Sequence, residues 1–200
     1  MIDAEPHRDA ILAPHAPWPS QDLELVCRIN QVGTKFTTFG YLTEIVGLAP
    51  SSLFDGTPRN EHTAHFTLYS ETEMKNRSVT GGVHALHVSG PLHVHLKQTP
   101  GADFDHPASF RTGKHIGAFD GDFQSIVSVT SPKKAIETLA GSLQQTGATR
   151  FTFGGVSHLL GQVGLHLRVT ATGDGTLLDP ATPKALLLLA GNMVVTLLPP

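Results

Sequence analysis

The chain has 200 residues, 16% of them charged, a net charge of -3 and a single cysteine. That is enough for one domain with a self-sufficient core, and Cys27 alone excludes an intrachain disulfide or a thiolate metal cluster. No basic run exceeds Lys133-Lys134 and the longest apolar run is 185–190 (ALLLLA), so neither a nucleic acid nor a membrane is expected as partner.

Residues 1–20 carry Pro6, Pro14, Pro17 and Pro19 and lack both the basic start and the apolar segment of a signal peptide. A flexible N-terminal arm is expected there, a single domain over 21–200, and a cytoplasmic location.

Along the chain, Asp22 to Ile29 alternates Leu23, Leu25, Cys27 and Ile29 with more polar neighbours, the period of a half-buried strand. Lys35 to Val46 is rich in β-branched and aromatic residues. Thr63 to Lys97 reads as three short strands, with a corner at Ser89-Gly90-Pro91. Residues 98–113 form a long surface loop of the kind that often covers a pocket. Lys114 to Phe119 and Phe123 to Thr130 read as two strands turned at Asp120-Gly121-Asp122. The clearest alternation is Gln162 to Thr172. In the tail, Thr182-Pro183 and Gly191 have the chemistry of a short helix over 183–190, while the leucine run fits a strand equally well. The fold class expected is all-β, a single antiparallel β-barrel of about eight to ten strands, with one short C-terminal helix as an option.

Twelve histidines make imidazole the most conspicuous reactive group. If the polar strand faces turn inward, His65, Tyr69, His93, His95 and Arg168 would converge as catalytic groups. Glu44, Glu61 and His166 would join them as ligand-binding residues. Imidazoles, a phenol and a guanidinium suit proton transfer or enolate stabilisation without a cofactor. Outward-facing polar rows would explain the same residues with no chemistry. His93-Val94-His95 also resembles half of a cupin metal site, but the carboxylate that should follow is replaced by Lys97 and Gln98, so no metal ligands are assigned.

Between Val88 and Val127 the chain resembles the allene oxide cyclase-like barrels. Val88-Ser89-Gly90-Pro91 is similar to a strand corner of that family, and Phe119-Asp120-Gly121-Asp122-Phe123 to its Phe-x-Gly-x-aromatic hairpin, over about 40 residues. The loop 98–113 lengthens the spacing. The resemblance implies an eight-stranded barrel, often a homo-oligomer, whose apolar cavity folds a flexible substrate for ring closure without a cofactor. No catalytic residue of the family falls on a matching position here, and related calycin-type barrels only carry ligands. The expected function is therefore a cofactor-independent cyclase or isomerase acting on a hydrophobic, polyketide-like or oxylipin-like molecule. The alternatives are a carrier or sensor of an apolar ligand, and a cupin-like metal enzyme using His93 and His95.

Overall fold

The computed structural model describes residues 23–179 and 184–196. Ten strands form: β1 (Leu23–Val32), β2 (Lys35–Ile45), β3 (Phe66–Thr80), β4 (Val83–Leu96), β5 (Lys114–Ser131), β6 (Lys134–Ala148), β7 (Phe151–Phe153), β8 (Val156–His158), β9 (His166–Asp179) and β10 (Lys184–Thr196). Eight close an antiparallel barrel in the order β1-β10-β9-β6-β5-β4-β3-β2, and β7 and β8 make a separate hairpin. Each barrel strand pairs with its neighbour in sequence, apart from the excursion between β6 and β9, and β10 returns to β1. Closure of this kind leaves no unpaired edge.

The period-two pattern of β1 holds: Leu23, Leu25, Cys27 and Ile29 are buried in the barrel core. The expected arm over 1–20 lies outside the described residues. Elsewhere the strands are longer than the turn signals suggest. The three strands expected between Thr63 and Lys97 are two, β3 and β4, and β4 passes through Gly90-Pro91 without turning. At Gly90 a Cβ would lie 2.6 Å from the backbone oxygen of Glu71, so glycine permits close approach of β3 rather than a corner. Likewise β5 is one strand of 18 residues running through Asp120-Gly121-Asp122. The Phe123 ring lies where a Gly121 side chain would be.

The optional C-terminal helix is not formed: residues 184–190 belong to β10, with Leu187 and Leu189 facing the core. Pro183 lies outside the described residues. Gly191, expected as a helix cap, sits within the strand because a Cβ would strike the backbone oxygen of Thr170 on β9.

The two ends of the barrel differ. At one end the connections β1–β2, β3–β4 and β5–β6 are tight hairpins, and β9 ends beside the start of β10. At the other, segments 46–65 and 149–165 fold across the opening. Leu53, Ala64, Phe66, Phe151, Leu160 and Leu165 are almost wholly buried there, and Phe66 meets Phe151 and Phe153 edge-on at 5.9 and 4.9 Å. The loop 98–113 covers the outer wall instead of either opening. Its Phe104 and Phe110 pack on Phe39, Thr67 Oγ1 donates to the Phe110 oxygen at 2.8 Å, and Lys97 Nζ donates to the Ser109 oxygen at 3.0 Å.

Candidate functional site

Since Leu92, Val94 and Leu96 face the core, the intervening His93 and His95 point outward. Register places Tyr69 opposite His93, and His95 opposite His115 of β5. Tyr69, His93 and His95 therefore do meet, in an open groove of about 390 Å³ on the outer wall shared with Glu71, Arg111 and His115. His93 Nδ1 lies 3.2 Å from His115 Nε2, and the His95 ring centre is 5.4 Å from that of His115. Tyr69 donates its hydroxyl hydrogen to Glu71 Oε1 at 2.8 Å, and the Arg111 guanidinium stands 5.5 Å above the Tyr69 ring. Burial, then the neighbouring imidazoles and Lys97, push the His95 pKa down to about 4, and its Nδ1 is buried without a hydrogen-bond partner. The pKa of His93 is lowered for similar reasons, burial first. Both rings are neutral at pH 7.

The other expected residues lie apart. His65 pairs through Nδ1 with the Lys97 oxygen at 2.8 Å and stacks edge-on against Phe153. His166 and Arg168 alternate with the buried Leu167 and Val169, which puts them on the outside of β9. Glu44 and Glu61 belong to the covered end; Glu61 lies 3.6 Å from His62 and raises the pKa of Tyr41, after burial. None of these eight residues lines the hollow inside the barrel. Among the described residues, no three His, Cys, Asp or Glu side chains are placed to hold a metal ion together.

The barrel interior carries a different polar set. An eight-stranded barrel is just wide enough for its own side chains, and here Leu25, Leu68, Val88, Phe123, Leu143 and Val169 leave a cavity of about 70 Å³ with an almost entirely apolar lining. Within this wall stands Glu137 of β6, 2% exposed. Ser125 of β5 donates its hydroxyl hydrogen to Glu137 Oε1, while Oε2 is buried with no partner. Burial raises the Glu137 pKa, and the Ser125 hydrogen bond only partly opposes the rise. Opposite on β1, burial and the nearby Glu137 push the Cys27 thiol up to about 12. It is a neutral thiol, not a nucleophile. Thr38, Ser70 and Thr72 also reach the wall, although Ser70 donates to the Pro91 oxygen at 2.6 Å.

Phe36 and Leu86 line both this cavity and a wider vestibule of about 300 Å³ at the hairpin end, where Arg77, His84, Lys133 and Lys134 form part of the wall. The vestibule falls at the lower end of the size range of small-ligand pockets, and the narrow cavity with Glu137 in its wall lies next to it, across Phe36 and Leu86.

Glu137 was not among the residues singled out from the sequence, yet a signal for it exists. Counting by twos from it gives Leu139, Gly141 and Leu143, an apolar face interrupted by one carboxylate. Ser125, between Phe123 and Val127, is the matching interruption in β5.

No family model, curated protein or solved structure matches the chain. The geometry therefore stands as the basis for function.

Proposed function

We propose that the barrel takes up a small, largely apolar molecule bearing one hydrogen-bond-accepting oxygen and isomerises or cyclises it without a cofactor, with Glu137 as the acid. The observation that carries this is the unpartnered, buried Glu137 Oε2 in an apolar wall. Burial raises the Glu137 pKa above that of an exposed carboxyl, which favours the protonated form, and a proton on Oε2 would be offered where water does not compete. In an isomerisation the proton leaves Oε2 for one substrate atom, and the resulting carboxylate takes a proton from another. Glu137 then ends as it began, and Ser125 steadies the transient charge on Oε1. The apolar walls supply the conformational restraint that favours ring closure.

The neutral Cys27 and the scarcity of polar lining fit a carrier as well, in which Glu137 only holds the ligand oxygen. A second enzymatic function keeps Tyr69, His93 and His95 as proton-transfer groups, now in the outer groove, and is favoured by their convergence with His115 and Arg111.

A panel of small apolar ketones, enones and alcohols, followed by NMR for both binding and isomer formation, separates these. Glu137→Gln abolishes product formation and leaves binding within a few fold if the interior is catalytic. Turnover that survives Glu137→Gln but is lost in His93→Ala would move the chemistry to the outer groove. Binding without any product identifies the carrier.

A further inference from the structure

Large aliphatic side chains exposed singly over a surface are ordinary, but exposed ones gathered in one place indicate a contact. Val32, Val79, Val83, Val129 and Leu178, five of the ten large aliphatic residues exposed among the described residues, are between 44% and 58% exposed, and all five lie at the hairpin end of the barrel. Val32 closes β1, Val79 and Val83 flank the β3–β4 turn, Val129 approaches the β5–β6 turn, and Leu178 is the last residue but one of β9. Each of the strand pairs β1–β2, β3–β4, β5–β6 and β9–β10 thus presents at least one aliphatic group beside the vestibule.

The same tips carry most of the basic charge in the vicinity. Lys35, Arg77, Lys133, Lys134 and Lys184 are all exposed. The acids near them are Glu73 and Asp179, in register opposite Lys35 and Lys184, and Asp174, two residues from the Thr176 that pairs with Lys134, which leaves the basic groups in excess. A chain whose net charge is -3 therefore has a cationic end. The strand ends Leu23 and Thr196 lie at the opposite, covered end.

We infer that this rim docks on the surface of an anionic lipid bilayer, the aliphatic tips entering the boundary between headgroups and acyl chains while the lysines meet phosphates. Protein interfaces are depleted in lysine and enriched in aromatic residues at their centres. The rim has the reverse composition: strand ends with valine and leucine among lysines. Aliphatic groups ringed by cations are the pattern of interfacial membrane contact. Such contact requires no spanning segment, and among the described residues no helix is long and apolar enough to be one. The vestibule would then open onto the bilayer, a source of apolar ligand, though docking itself does not depend on what Glu137 does.

The test uses the full chain and vesicles of phosphatidylcholine alone or mixed with phosphatidylglycerol. The protein is expected to co-sediment with the mixed vesicles at moderate salt and scarcely with the neutral ones, and Lys133→Glu with Lys134→Glu should weaken binding roughly tenfold or more. In a Trp18→Phe background, Val129→Trp should shift its emission to the blue when mixed vesicles are added. Absence of co-sedimentation would overturn the proposal. So would co-sedimentation with unchanged Val129→Trp emission, which would mean that another face adsorbs. A dimer in solution that the two lysine reversals dissolve would assign the rim to a second copy and equally refute it.

Discussion

Ser125 on β5 and Glu137 on β6 form a buried hydroxyl–carboxyl pair in which only one carboxyl oxygen is satisfied. A partly satisfied polar pair in an apolar wall is destabilising by itself, and an oxygen of the proposed ligand would complete it.

Glu137→Gln is expected to be at least as stable as the parent at pH 7. The folded-state pKa of Glu137 is raised, so the parent loses stability as pH rises from the unfolded carboxyl value through the folded one. The amide has no such dependence. Urea unfolding from pH 4 to pH 8 should show the gap widening with pH; a parent that is the more stable at high pH would mean that Glu137 is ionised and paired.

Cys27 should be inert towards a thiol reagent at pH 8 in the native protein and react fully after unfolding in denaturant. Burial and a thiol pKa near 12 leave almost no thiolate. Rapid native labelling would contradict the closed interior wall.

His95 contributes in the opposite sense to a paired histidine. Its folded pKa of about 4 lies below the ordinary 6.5, so the unfolded chain binds the proton first and stability falls as pH drops from 6.5 towards 4. His95→Gln should remove a loss on the order of 2 kcal/mol across that window. Equal pH dependence in parent and variant would show that the imidazole protonates freely.

Ala171 is buried on the cavity wall. Ala171→Leu should fill the interior, abolish ligand binding seen by NMR and cost no more than about 1–3 kcal/mol in stability. Unchanged binding would place the ligand outside the barrel.

Gly121→Ala should be more damaging than its size suggests, because the new methyl meets the Phe123 ring and comes within 3.0 Å of Leu143. A destabilisation of roughly 1–3 kcal/mol is expected from overpacking, measured as a lowered denaturation midpoint. A neutral substitution would show that the Phe123 ring yields easily.

The antiparallel barrel was legible because alternation such as Leu23, Leu25, Cys27 and Ile29 reports one buried face irrespective of long-range context. Strand ends were not. Gly90-Pro91 and Asp120-Gly121-Asp122 carry turn chemistry, yet their glycines answer to crowding by Glu71 and Phe123, residues that only the closed sheet brings near. Gly191 misled in the same way, through the backbone of Thr170. Val163 falls within the alternation read from Gln162 to Thr172, yet it is 66% exposed because β9 starts only at His166. Periodicity separates the two faces of a strand but does not label either as inside, and so histidine density drew attention to the outer wall. The lone Glu137 in an apolar row was the better indicator of an interior group. Phe39, apolar on an outward face, likewise signalled a cover whose identity, the loop carrying Phe104 and Phe110, no local pattern discloses.

With Phe66, Phe151 and Leu160 stoppering the far end, a guest of the kind proposed would meet a cul-de-sac whose doorway is at the hairpin end. It would have to back out by the route it came, head and tail would not exchange places inside, and the next guest would wait for the last to depart. In such a blind passage departure at the hairpin end would set the pace of traffic.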